Sequence, residues 1–273
     1  MNNKTCLLIT CFNRNHQLNR SLERLTRLTL PYEVLVINDG GNEEETERTV
    51  RNFEGRLPIR YIYNHNPDWS ICSMARNIGI KNTDCDIIIT SEPEILFVTD
   101  VIQQMLQKHT EIPGKVISAG TIYHMGEQAT LHDDMVNNPS ERLKFEAVND
   151  SGHGTNPNNP AGYAKIQGWV APFAALYRRD WLLDINGWDE QFISWGFDDT
   201  DLLTRLSFNG VGQEIARDIE CVHQWHQKLP PDVQARASTM NEGIMQRKNF
   251  NREDPNNNIK TNTDRNWGVI HTR

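Results

Sequence analysis

The first 122 residues alternate short apolar runs with longer amphipathic stretches, and that rhythm admits few architectures. The apolar runs fall at residues 6–10, 33–38, 59–63, 86–90 and 115–122, each of strand length and rich in Ile, Val and Leu. Between the first two, Leu18, Leu22, Leu25 and Leu28 recur at helical spacing over residues 16–28, with arginines on the opposite face. Residues 43–53, 70–80 and 99–109 fill the following gaps, the last with Thr99 or Asp100 as its N-cap. Strand, crossover helix and strand make a βαβ unit, so the pattern predicts an α/β protein with a mostly parallel central sheet flanked by helices.

Past about residue 124 the rhythm breaks. Residues 150–160, DSGHGTNPNNP, are crowded with Gly, Asn and Pro and read as a loop. A second compact segment runs from about 166 to 226, and residues 229–273 form a polar tail with one helix near 232–249. With 273 residues, 37% hydrophobic, the chain can build one large α/β domain with an extension. No stretch approaches ~18 consecutive apolar residues and no secretory leader is readable, so the expectation is a cytoplasmic protein without a membrane span. Five cysteines without paired spacing read as reduced thiols. A net charge of −8 works against non-specific attraction to nucleic acid or anionic membrane.

Open parallel sheets bind ligands at the carboxyl ends of their strands, and polar residues gather there in this sequence. The first strand delivers Thr10-Cys11-Phe12-Asn13-Arg14, the second Asn38-Asp39-Gly40-Gly41, and the fourth runs from Ile87-Ile88-Ile89 into Glu92-Pro93-Glu94. Asn-Asp-Gly-Gly alone is also a good turn. SMARNIGI, residues 73–80, sets Arg76 and Asn77 in a small, apolar helix, where the arginine can serve a ligand or pair with Asp39. In GWDEQFISWGFDDTDLLTRL, a helix beginning near Asp198 carries Asp198, Asp199 and Asp201 in its first turn. Phe192, Trp195 and Phe197 precede them, a combination of aromatic wall and carboxylates suited to a sugar. CVHQWHQK places His223 and His226 three apart around Trp225.

These pieces together resemble nucleotide-sugar glycosyltransferases of the GT-A (Rossmann-like) fold, particularly family two and the galactosyltransferase-like group with a Trp-Gly-x-Asp-Asp-x-Asp motif. ITCFNRNHQLNRSL is similar to the family's opening strand and helix, VINDGG to its V-D-D-G-S element, and ARNIGI to its A-R-N-x-G. INGWDEQFISWGFDDTDLLTRL is the strongest match, followed by VHQWH and NWG. The resemblance implies a domain over 1–228, with a nucleotide-sugar half at 1–124 and an acceptor and catalytic half at 125–228, and an extension at 229–273 packed on it. It implies an inverting transfer from a nucleoside-diphosphate sugar to an acceptor hydroxyl, assisted by a divalent cation, Mn²⁺ or Mg²⁺.

The roles implied residue by residue are these. Asp39 contacts the base or ribose, with Thr10, Phe12 and Arg14 lining the same pocket, and Arg76 faces the diphosphate or holds Asp39. Asp199 is the general base and Asp198 binds the acceptor, which Trp169 and Trp195 flank. The family's Asp-x-Asp falls on Glu92 and Glu94, and His223 or His226 completes the metal site. Glutamate keeps the hard oxygen ligands such an ion prefers, one methylene further out. The acceptor is a glycan or another hydroxyl-bearing molecule, a modified nucleic acid fitting the acidic chain less well. The alternative is a non-catalytic nucleotide- or glycan-binding protein of the same fold; a nucleotidyltransferase gives no reason for the aromatic and acidic motif.

Overall fold

The computed structural model describes residues 3–66, 72–125, 163–167, 174–194, 196–228 and 230–272. Trp169, Trp195 and the loop expected at 150–160 lie outside the described residues. In chain order, the first half runs β1 (Thr5–Cys11), α1 (Asn15–Leu25), β2 (Glu33–Asp39), α2 (Glu43–Arg51), β3 (Ile59–Asn64), α3 (Cys72–Asn82), β4 (Ile87–Ser91), β5 (Ile95–Leu96) and α4 (Val101–Glu111). The second half adds β6 (Lys115–Met125), β7 (Tyr163–Gln167), β8 (Ala174–Arg178), α5 (Arg179–Asp184), α6 (Asp198–Phe208), β9 (Gly212–His223) and α7 (Pro231–Gln246).

One sheet collects the strands in the order β3-β2-β1-β4-β8-β6-β9-β5, with β7 added on β6. The β3-β2-β1-β4 half is parallel throughout, as the βαβ rhythm requires. Beyond β4 the sheet is mixed: β8 enters antiparallel between β4 and β6, while β6 and β9 run parallel. The β6–β9 register shifts between Ala119 and Thr121, at Gly120, where a Cβ would lie 2.7 Å from the backbone of Ala216. Only glycine lets the two backbones come so close.

Both faces of the central strands are buried, which explains their continuous apolar character. Leu7, Ile9, Val34, Val36, Ile87 and Ile89 face one layer with Leu18, Leu22 and Leu25 of α1 and Val101 and Met105 of α4. Cys6, Leu8, Leu35, Ile37 and Ile88 face the other, with Ala75 and Ile78 of α3, Trp188, and Leu202 and Leu206 of α6. Fully burying each large aliphatic side chain contributes roughly 1.5–3 kcal/mol. In the second layer, α3 and α6 bring Arg76, Asp198 and Asp199 toward Glu92, just past the carboxyl end of β4.

Candidate active site

The chain leaves β4 at Ser91 and turns through Glu92-Pro93-Glu94 into β5, with Ile95 N–H donating to the Glu92 carbonyl at 3.0 Å. β5 is only two residues long, but it pairs antiparallel with β9 so that Ile95 lies opposite His223. Ser21 of α1 donates to the Pro93 and Ile95 carbonyls at 2.6 and 3.1 Å, and Gln224 N–H donates to the Glu94 carbonyl at 2.8 Å. The turn is therefore held from both sides, and its two carboxylates meet different partners.

Glu94 faces the histidines. One ligand atom each from Glu94, His223 and His226 lie within 4.8 Å of one another, and Glu94 itself is buried. His226 Nε2 is 3.3 Å from Glu94 Oε1. His223 stacks on His124 of β6 with ring centroids 4.6 Å apart, a contact that fixes its plane. His226 Nδ1 sits 3.1 Å from both Arg14 Nη2 and the Gln227 carbonyl. In one tautomer Nδ1 accepts from Arg14 and Nε2–H donates to Glu94; in the other Nδ1–H donates to Gln227 and the Nε2 lone pair faces Glu94. The second tautomer is the ligating one, with the carbonyl as the outer partner that orients a metal-bound imidazole. One carboxylate and two imidazoles in a set that leaves further positions open fit a divalent transition cation such as Mn²⁺ better than Mg²⁺, which takes oxygen ligands.

Glu92 turns the other way. Arg76 of α3, only 5% exposed, donates from Nη2 to Glu92 Oε1 at 3.0 Å and from Nη1 to Asp198 Oδ2 at 2.9 Å and Asp199 Oδ1 at 3.1 Å. Its guanidinium also lies 5.3 Å from the centre of the Trp188 ring, whose indole N–H donates to Asp199 Oδ1 at 3.2 Å. Three carboxylates around one cation leave an excess of negative charge, and two of them bind protons more tightly as a result. Burial first, then Asp199, raises the Asp198 carboxyl to about 6 despite the pull of Arg76. Burial and Glu94 likewise raise Glu92 above the usual carboxylate range, again against Arg76. Reciprocally, the surrounding acids keep the guanidinium charged in spite of its burial.

The two motif aspartates start α6 after a strained turn: Gly196 has φ 101° and Phe197 φ 67°, a left-handed conformation unusual for an aromatic residue. That bend aims Asp198 and Asp199 back at α3, with side chains 15% and 17% exposed. Asp201 does not join them. It is fully buried, ion-paired with Arg205 Nε at 2.8 Å and with Lys248 Nζ at 2.6 Å, so it anchors the helix instead of lining a site. Phe192 is buried beneath Lys248 and is no wall for a ligand.

At the ends of β1 and β2, where a nucleotide is expected, Asp39 is 1% exposed, its oxygens accepting from Asn64 Nδ2 at 2.8 Å and Asn66 Nδ2 at 3.2 Å. Thr10 is buried with its hydroxyl lacking a hydrogen-bond partner among the described residues, and Phe12 is half-buried. Asn42 N–H donates to Asn13 Oδ1 at 2.8 Å, which ties the loop after β1 to the one after β2. Arg14, expected to line a pocket with Asp39, has Nη2 3.1 Å from His226 Nδ1; Arg76, expected at a diphosphate or at Asp39, is engaged with Glu92, Asp198 and Asp199. Glu92, expected beside Glu94 as a ligand, lies outside the Glu94, His223 and His226 group.

Sequence reasoning missed Trp188, Asn77, Ser21 and Gln224. Asn77 exchanges two hydrogen bonds with the Trp188 backbone, at 2.8 and 2.9 Å, and thereby seats the indole that steadies Asp199. Gly187 precedes it at φ 69°, where a Cβ would lie 2.2 Å from Asn77 Oδ1. The signal was present, since Gly187-Trp188 and Arg76-Asn77 both stood within the motifs already singled out.

The profile of glycosyl transferase family 2 matches residues 6–183, which hold Thr10, Asp39, Arg76 and the acidic turn. The chain belongs to glycosyl transferase family 2. A second profile, the N-terminal domain of galactosyltransferase, matches residues 157–227, which hold Asp198, Asp199 and both histidines. Among similar proteins, this family-2 chain is 25% identical over 237 residues to a validoxylamine A glucosyltransferase of Streptomyces hygroscopicus subsp. limoneus, covering 80% of this chain and 51% of that protein. It is 22% identical to a chondroitin synthase of Pasteurella multocida, over 82% of this chain and 25% of that protein. The chain thus spans about half or less of these two relatives' length. S. aureus TarS 1-349 in complex with UDP superposes with a TM-score of 0.58 at 12% identity, over 89% of this chain and 66% of that one. The mannosyltransferase PcManGT of Pyrobaculum calidifontis, in complex with GDP-Man and Mn²⁺, gives 0.55 at 13%, over 85% and 58%. Both likenesses are of fold, which is GT-A.

Proposed function

We propose that this chain transfers a sugar from a nucleoside-diphosphate sugar to an acceptor hydroxyl, inverting the anomeric carbon, with Asp199 as the general base. The observation that carries the reading is the single acidic turn: Glu94 meets two histidines, while Glu92 joins the arginine that holds both motif aspartates. Charge separates in such a reaction, the leaving diphosphate gaining it as the anomeric carbon turns cation-like. When bound by Glu94, His223 and His226, a divalent cation supplies Lewis-acid neutralisation of that diphosphate. Proteins of the same fold in complex with GDP-Man and Mn²⁺, or with UDP, support a nucleotide-sugar donor and a metal.

Asp199 Oδ1 accepts from Trp188 and Arg76, which fixes the carboxylate and leaves Oδ2 to meet an acceptor hydroxyl. Proton removal at that oxygen is worth about 10²–10⁴ in rate. Asp198 holds a neighbouring hydroxyl, and Trp169 and Trp195 are proposed to flank the acceptor. Thr10, Phe12 and Asp39 receive the nucleotide. Arg76, already surrounded by acids, acts as a positioning residue for Asp199. An acceptor of glycan type fits the net charge of −8 better than a nucleic acid. No helix among the described residues is long and apolar enough to cross a membrane.

The test is release of nucleoside diphosphate from a panel of nucleotide sugars with Mn²⁺ and candidate acceptors. The wild type turns over at least one sugar, and Asp199→Asn lowers its kcat by about 10²–10⁴ with the affinity for the nucleotide sugar retained. Full activity in Asp199→Asn removes it as the base. Nucleotide binding without turnover of any sugar instead favours a non-catalytic binding protein.

A further inference from the structure

Residues 261–271 cross the molecule between the two halves of the site. Thr261 N–H donates to the Ile185 carbonyl, and Asn262 Nδ2 donates to the Trp188 carbonyl at 2.7 Å. Trp267 is buried beneath Lys81, whose ammonium lies 4.0 Å from the ring centre, and Gly268 N–H donates to Glu190 Oε1 at 2.8 Å. Gly268 has φ 64°, and a Cβ there would lie 2.7 Å from the Asn77 carbonyl, so the segment lies directly on α3.

It then reaches the end of β3. His65 N–H donates to the His271 carbonyl at 2.8 Å, and His271 N–H donates to Asn64 Oδ1 at 2.7 Å. Asn64 is fully buried, and its other amide atom, Nδ2, donates to Asp39 Oδ1 at 2.8 Å. The orientation of this carboxamide is decided by its neighbours: a carboxylate takes only a donor and a backbone N–H only an acceptor. With the His271 N–H in place, Asn64 can present only its NH₂ to Asp39. Without it, Asn64 Oδ1 loses its backbone donor and the carboxamide is held by one anchor fewer, so the NH₂ offered to the buried carboxylate is less firmly placed.

We propose that the backbone of His271 is part of the nucleotide-recognition machinery, as a positioning group that acts through Asn64 on the Asp39 carboxylate. The inference rests on the reading of Asp39 as a nucleotide-binding residue. An ionised carboxylate only accepts, which suits it to a ribose hydroxyl or a base N–H of a nucleoside diphosphate. The segment that closes over α3 on the Trp188 side thereby sets the geometry of recognition at the far edge of the sheet.

Two variants of the full chain test it. His271→Pro deletes the N–H and His271→Ala keeps it. With UDP and GDP as probes in calorimetry, the Pro variant binds the nucleotide recognised by the parent about threefold to tenfold more weakly than the Ala variant, the loss of one hydrogen bond. The KM for the nucleotide sugar follows, and kcat at saturation is equal in the two variants, which separates recognition from loss of folded protein. Equal affinities in the Pro and Ala variants overturn the inference alone, as does a fall in kcat without a change in affinity. Undiminished nucleotide binding by Asp39→Asn, or none by the parent, overturns the reading on which it rests and the inference with it.

Discussion

Asp198, Asp199 and Glu92 share one guanidinium, and the chemistry of each depends on how that charge is divided. Arg76 is buried, so deleting it orphans three carboxylates in a poorly solvated place. Arg76→Met is expected to cost about 3–5 kcal/mol at pH 7 in urea denaturation, the usual penalty for breaking a buried pair. The deficit shrinks at pH 5, because the orphaned acids take up protons. The parent has its own pH signature. Asp198 is raised from 3.8 to about 6 in the folded chain, so the folded state holds this proton more tightly than the unfolded one. Its contribution to stability is fully present below the unfolded value and is lost as pH rises through about 6. Asp198→Asn should remove that slope, and an unchanged pH profile of stability would contradict the assignment.

At the level of elements, close contact of α3 with β1 sets where Arg76 sits. Gly79 of α3 faces Leu8 so closely that a Cβ would lie 2.3 Å from Leu8 Cδ1. Gly79→Ala therefore overpacks this face and should cost about 1–3 kcal/mol, read as a lowered melting temperature, in spite of alanine's better helix propensity. The strands and helices of the first half were legible because burial on both faces writes itself as continuous apolar runs and helical periodicity. Their ends were less so. α1 stops at Leu25 although Leu28 continues the stripe and still packs on the core, and Asp100 before α4 accepts from Thr29 and makes no cap bond to α4. β8, the strand that separates β4 from β6, has five residues and no signal beyond Ala-Ala-Leu-Tyr. β5 has two residues, yet its pairing with β9 decides that Glu94 and not Glu92 meets the histidines. Each motif of the site could be read alone; which acid pairs with Arg76 could not, since the partners lie 16, 122 and 123 positions away.

Across the whole molecule, the segment after α7 braces the start of α6 from behind. Lys248 is buried between Asp189 and Asp201, 2.6 Å from each, and Asp201 is also held by Arg205. Lys248→Met leaves two buried carboxylates against one arginine, and should cost about 3–5 kcal/mol in chemical denaturation while leaving nucleotide affinity unaltered in the folded fraction. At the acidic turn, one carboxylate is assigned to a cation and its neighbour, two residues away, to an arginine. Mn²⁺ binding, followed by the loss of the free-ion electron paramagnetic resonance signal, tests it directly. Glu94→Gln is predicted to weaken binding at least about tenfold, whereas Glu92→Gln leaves it within about threefold. Equal losses in the two variants, or a larger one in Glu92→Gln, would contradict the account.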